Sequence, residues 1–122
     1  MMLIPFANLL WTQNFYTSST MHLISVRALR ADAEKYSGVL KKVETWHQVV
    51  KQASWQNLEE VRKVYRDAEA VGNFTVFNLK SYRLIVSIDY ESQTVFYKYF
   101  LTHADYDKGI WKDDPYFWQR HL

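Results

Sequence analysis

At 122 residues, with 48% hydrophobic, 23% charged and 17% aromatic residues, the chain has the length and apolar content of one packed domain, which excludes wholesale disorder. A net charge of +2 permits a nucleic-acid partner without demanding one. Cysteine is absent, which excludes disulfides, thiolate nucleophiles and cysteine-ligated zinc and fits a reducing cytoplasm.

Residues 1–20 carry no Lys, Arg, Asp or Glu. The apolar run Met1–Trp11 is interrupted by Pro5, is too short to span a bilayer, and lacks the basic start of a secretory signal. We read residues 1–20 as an uncharged leader outside the fold, from an upstream start, with Met21 as the working start. A membrane-leaning or partner-binding segment is the alternative.

Met21–Ile24 reads as a short first strand. Ser25 then offers an N-cap, and Val26, Leu29, Ala33 and Tyr36 recur at helical spacing before Gly38, a natural C-terminal stop. A second helix sets Val39, Val43, Trp46 or His47, and Val50 on one stripe, with Lys41, Lys42, Glu44 and Lys51 largely away from it. Asn57 and Glu60 have the spacing of a capping box and open a third short helix through Leu58, Val61 and Tyr65. Three strands follow, Phe74–Leu79, Tyr82–Tyr90 and Thr94–Thr102, joined by turns short enough for hairpins and free of proline. This order predicts an α+β domain, with the N-terminal strand and helices packed on one face of an antiparallel sheet. Residues 109–122 form an aromatic tail with Trp111, Tyr116, Phe117 and Trp118, which packs over the sheet, binds a partner or stays loose.

Register sorts the strand residues by face. A Ser92-Gln93 turn pairs Tyr90 with Val95, Ile88 with Tyr97, Val86 with Tyr99 and Leu84 with Leu101, an apolar series that predicts the helix-covered face. A four-residue loop keeps that parity, and a three- or five-residue loop reverses it. A Lys80-Ser81 turn adds Asn78 beside Arg83 and Val76 beside Ile85. The open face then carries Asn78, Arg83, Ser87 and Lys98 among Phe96 and Phe100. Two cations among aromatics suit a phosphate backbone with stacked bases. The plainer reading is a solvated face with the stems of Arg and Lys lying along it.

Of the histidines, His22, His47 and His121 sit in a strand, on a helix flank and near the chain end. His103 closes a strand and opens Ala104-Asp105-Tyr106-Asp107. Imidazole exchanges protons near neutral pH, and a tyrosine can join it where cations lower its pKa. Metal binding by His103 with Asp105 or Asp107 is the weaker use, with no Cys and no second histidine near. Gly-rich phosphate loops and the G-x-S-x-G and H-E-x-x-H motifs are absent.

Met21-His22-Leu23-Ile24-Ser25, Val71-Gly72-Asn73, Val76-Phe77-Asn78, Tyr82-Arg83-Leu84-Ile85-Val86, Ile88-Asp89-Tyr90 and Thr102-His103-Ala104-Asp105-Tyr106-Asp107 resemble, in that order, the HigB-type toxins of the RelE superfamily. The resemblance spans about Met21 to Lys108 and implies a small RelE-like domain over residues 21–108. It implies a ribosome-associated mRNA endonuclease of the cytoplasm that uses no metal or other cofactor, has no membrane association, and is silenced by a helix-turn-helix antitoxin of the HigA type. By motif match, His103 and Tyr106 become acid–base candidates, and Arg83 and Lys98 stabilisers of phosphate charge. Asn73, Asn78 and Lys80 would position RNA, with Ser87 on the same face. The turn Leu79-Lys80-Ser81 lacks the Gly-Asn often found there in relatives. A non-catalytic RNA- or protein-binding domain on the same scaffold is the alternative.

Overall fold

A computed structural model of the protein describes residues 20–119; the expectations for the leader, Thr20 apart, and for His121 lie outside the described residues. The first strand, β1, is His22–Ile24, and α1 runs Val26–Ala33. Ser25 caps α1, its Oγ accepting a hydrogen bond from the Ala28 N–H at 3.0 Å. The helix stops at Ala33, about a turn short of the predicted end. Helix α2, Leu40–Gln52, buries Val43, Trp46 and Val50, so the tryptophan rather than His47 completes the stripe. Helix α3, Leu58–Val64, is capped by Asn57, whose Oδ1 accepts from the Glu60 N–H at 3.0 Å. The Glu60 carboxylate reaches back to the Gln56 N–H at 2.8 Å, so the box closes one residue earlier than the spacing predicts.

The remaining strands are β2 (Glu69–Val71), β3 (Phe74–Leu79), β4 (Tyr82–Asp89) and β5 (Thr94–Thr102), and the sheet order is β1-β5-β4-β3-β2. β2 to β5 form an antiparallel meander, but β1 lies parallel to β5, with Leu23 opposite Val95. The five-stranded sheet is therefore mixed rather than antiparallel. Helices α1–α3 carry the chain from β1 at one edge to β2 at the other, so β1 never forms a hairpin with its sequence neighbour.

The Lys80-Ser81 turn stands as predicted, with Asn78 opposite Arg83 and Val76 opposite Ile85. Between β4 and β5 the turn is not Ser92-Gln93 but a four-residue loop, with Asp89 opposite Thr94. Asp89 Oδ1 accepts from the Glu91 and Ser92 N–H groups, and buried Gln93 donates from Nε2 to the carbonyls of Trp55 and Tyr90, both at 2.7 Å. That network fixes the longer loop. The loop preserves parity as far as Val86 opposite Tyr97, but a bulge follows, and Ile85 lies opposite Tyr99 with Lys98 as the extra residue. Beyond it Leu84 meets Phe100 and Arg83 meets Leu101. The expected pairs Val86–Tyr99 and Leu84–Leu101 do not form. Phe100 turns to the helices and is buried, while Tyr99 and Leu101 move to the other face.

The main core lies between the helices and one sheet face, where Leu29, Trp46, Val50, Phe77, Leu84 and Val86 are fully buried. The opposite face is not open. After β5 the chain forms α4, His103–Lys108, and two 3-10 turns, Ile110–Asp113 and Pro115–Phe117. Trp111 and Phe117 of these turns pack on Phe74, Val76 and Ile85 as a second core. The described part of the tail thus packs over the sheet and does not stay loose. Burial of each such aromatic is worth roughly 2–3 kcal/mol, enough to hold the segment in place.

Candidate functional site at the end of the sheet

With helices on one face and the tail across the other, the polar residues gather where the β3–β4 turn, the end of β5 and α4 meet. Arg83 is half-buried in β4, opposite Asn78 on one side and Leu101 on the other. Its Nη1 donates to the Tyr82 carbonyl at 3.2 Å, and its guanidinium lies 5.8 Å from the centroid of the Tyr106 ring. That distance is a cation–π contact.

Helix α4 begins because Thr102 Oγ1 accepts from the Asp105 N–H at 3.1 Å, and it ends at Gly109 in the left-handed region, φ 76°. Its spacing puts His103, Tyr106 and Asp107 on one side. His103 Nδ1 is 3.0 Å from Asp107 Oδ2, both side chains exposed. Asp107 thus engages the imidazole through Nδ1, which leaves Nε2 as the ring nitrogen outside that contact. Asp105 is drawn instead to Lys108 at 3.4 Å. Among the described residues, no three His, Cys, Asp or Glu side chains converge as a metal-binding group.

Tyr106 stacks on Trp111 with ring centroids 5.1 Å apart, and Trp111 Nε1 donates to the Tyr106 carbonyl at 3.0 Å. Burial pushes the Tyr106 phenol above its ordinary pKa, Glu69 adds to the rise, and Arg83 only partly opposes it. The expectation that a cation lowers this tyrosine is therefore reversed by its burial. At neutral pH Tyr106 is a proton donor rather than a base.

The structure separates Lys98 from this group. The bulge points Lys98 and its neighbour Tyr99 to the same side, where both meet Asp114 of the tail. Lys98 Nζ is 3.5 Å from Asp114 Oδ2, the Tyr99 hydroxyl donates to the same oxygen at 2.7 Å, and the Tyr116 N–H donates to Oδ1 at 2.8 Å. Lys98 Nζ also lies 4.5 Å from the Tyr116 ring and 5.7 Å from Phe74. Desolvation pulls the Asp114 carboxyl up, but the bonds from Tyr99 and the Tyr116 backbone and the charge of Lys98 outweigh it and hold it below the usual range. Burial, with the bond to Asp114, pushes the Tyr99 phenol up to about 12. Along β5, Lys98 stands three residues before Leu101, the partner of Arg83, roughly 10 Å of strand.

The other expected RNA contacts divide in the same way. Asn73 clamps the tail, donating from Nδ2 to the Tyr116 carbonyl at 3.3 Å and from its backbone N–H to Phe117 at 2.9 Å. Ser87 is buried opposite Phe96. Lys80 sits at the β3–β4 turn and donates to the Gly38 carbonyl at 3.3 Å. Arg83, Asn78, Tyr106 and His103 therefore share one end of the sheet with Lys80 at its corner, and Lys98 and Asn73 serve the tail. Asp114 was missed in the sequence. Asp114-Pro115 signals a turn, but nothing local announces its partners on β5.

A family model described as HigB_toxin, the RelE-like toxic component of a toxin–antitoxin system, matches residues 40–109. A search of curated proteins gives no significant match to the chain. Among the described residues, no helix is long and apolar enough to cross a membrane. The family match starts with α2, takes in β2 through β5, and ends at the glycine that closes α4. Since that is more than half of the chain and holds every side chain gathered around Arg83, the protein belongs to the HigB_toxin family of RelE-like toxin–antitoxin toxins.

Proposed function

We propose that the protein is a metal-independent endonuclease that cuts mRNA on the ribosome in the cytoplasm, and that a helix-turn-helix antitoxin of the HigA type silences it. The observation that carries this reading is the exposed His103–Asp107 pair on the same helix as Tyr106, whose ring faces the Arg83 guanidinium. In such a site the RNA 2′-hydroxyl attacks the adjacent phosphorus as His103 Nε2 takes its proton. The P–O5′ bond breaks, and the leaving 5′-oxygen receives a proton from the Tyr106 phenol. The products are a 2′,3′-cyclic phosphate and a free 5′-hydroxyl. Arg83 offsets the charge that builds on the non-bridging oxygens. Asn78 and Lys80 hold the strand. Lys98, balanced by Asp114, acts on the site by anchoring the tail, as Asn73 does, and Ser87 contributes packing.

Induction without a partner is expected to arrest growth and to leave new mRNA 5′ ends within translated codons. His103→Ala and Arg83→Ala are each expected to reduce those ends by about 100-fold or more and to relieve the arrest. Undiminished cutting in both variants at equal protein level overturns the assigned roles. Arrest with no new 5′ ends identifies the alternative, a non-catalytic RNA- or protein-binding domain.

A further inference from the structure

On the far side of the β3–β4 turn from Arg83 lies a cavity of about 390 Å³. Its walls include Gly38, Lys41 and Lys42 at the start of α2, Tyr65 behind α3, and Asn78 and Lys80 of the hairpin. Three lysines line it and no Asp or Glu does. Arg30, Lys35, Lys98 and Lys108 are paired with Glu44, Asp32, Asp114 and Asp105. Among the described residues, no carboxylate within ion-pair distance balances Lys41, Lys42 or Lys80.

Lys80 is also held in an uncommon way. Its φ of 57° is left-handed, a conformation that glycine or asparagine adopts more readily. Its ammonium is tied to the Gly38 carbonyl on the opposite wall. A lysine kept at such a turn position, with its charge aimed across a basic cavity, points to a use for that charge. Asn78 joins the two places, since it lines the cavity and is the cross-strand partner of Arg83.

We propose that this cavity receives backbone phosphates of the substrate strand next to the cut, with Lys41, Lys42 and Lys80 neutralising them. The half-buried Tyr65 ring offers a surface to an adjoining base. The inference rests on the endonuclease reading and adds a direction to it: the strand runs from Arg83 past Asn78 into the cavity, across the hairpin end.

The test is fluorescence anisotropy with the full chain and a labelled 2′-O-methyl RNA oligonucleotide, which lacks the attacking hydroxyl, over a range of salt. Lys41→Gln/Lys42→Gln/Lys80→Gln is expected to weaken binding about tenfold or more and to flatten the log–log salt slope by about 1 to 2, at roughly 0.7 per phosphate lost. Lys41→Gln/Lys42→Gln leaves the strained turn untouched and is expected to show a smaller change of the same kind, which covers a triple variant that fails to fold. Removing equal charge elsewhere, in Lys51→Gln/Arg62→Gln/Lys63→Gln, is expected to change neither quantity. Unchanged affinity and slope in the cavity variants, an equal loss in the control, or a loss seen only with vacant ribosomes overturns the proposal. If mRNA cutting still depends on Arg83 and His103 in that event, the endonuclease reading stands. A wild-type chain that binds no oligonucleotide removes the cavity proposal, and absence of new 5′ ends is the separate result that removes the function.

Discussion

Asp114 collects the Lys98 ammonium, the Tyr99 hydroxyl and the Tyr116 N–H on one carboxylate, with its side chain 10% exposed and that of Lys98 16% exposed. Asp114→Ala strands the ammonium without a counter-charge and is expected to cost about 3 kcal/mol, read from urea unfolding. Because the Asp114 pKa is depressed in the folded protein, its contribution is complete above the ordinary aspartate value near 4 and is lost as pH falls through the depressed value. Acid titration followed by tryptophan fluorescence is expected to show the tail loosening over that range, a step that Asp114→Asn removes. Arg83, Tyr106 and His103 were legible in the sequence because they sit in contiguous motifs. Asp114 was not, since Lys98 and Tyr99 address one carboxylate only where a bulge has put neighbouring side chains on one side.

At the level of elements, the tail is fastened by close approach as much as by charge. Gly72, φ +60°, has no room for a side chain: an added Cβ would lie 2.7 Å from the Phe117 carbonyl oxygen and 2.8 Å from its ring. Gly109, φ +76°, has nothing within 4 Å of that position. Gly72→Ala is therefore expected to cost about 2–4 kcal/mol, from backbone strain and overpacking together, and to open the tail to protease. Gly109→Ala is expected to cost only about 1–2 kcal/mol, from the left-handed backbone alone. Thermal unfolding and limited proteolysis of the two variants check the difference. The capped elements were readable, since Ser25 and Asn57 announce α1 and α3, and so was the Lys80-Ser81 turn. β2 has three residues and α4 six, both too short for periodicity to register. The parallel seat of β1 depends on where three helices deliver the chain, which no local pattern encodes.

Across the whole molecule, covering both sheet faces confines the polar chemistry to one end, so everything turns on how β5 hands the chain to α4. The bulge at Lys98 puts that strand half a pleat out of step with itself. Lys98→Ala keeps the residue count and is expected to leave α4 in place, and deleting Lys98 removes only the extra residue, so that Tyr97 is followed directly by Tyr99 in a regular strand. Tyr99 and Leu101 still point to the tail side, Phe100 stays in the helix-side core, and α4 still sets out beside Arg83. The deletion is expected to retain measurable mRNA cutting, as Lys98→Ala does. One residue inserted between Phe100 and Leu101 instead reverses the faces beyond it and is expected to abolish cutting although His103, Tyr106 and Arg83 are all still present; mapping of 5′ ends distinguishes them. In genetic terms, β5 absorbs the loss of the Lys98 codon, while one codon gained beyond it is enough to transfer a helix from one side of this sheet to the other, a larger change than any substitution there can make.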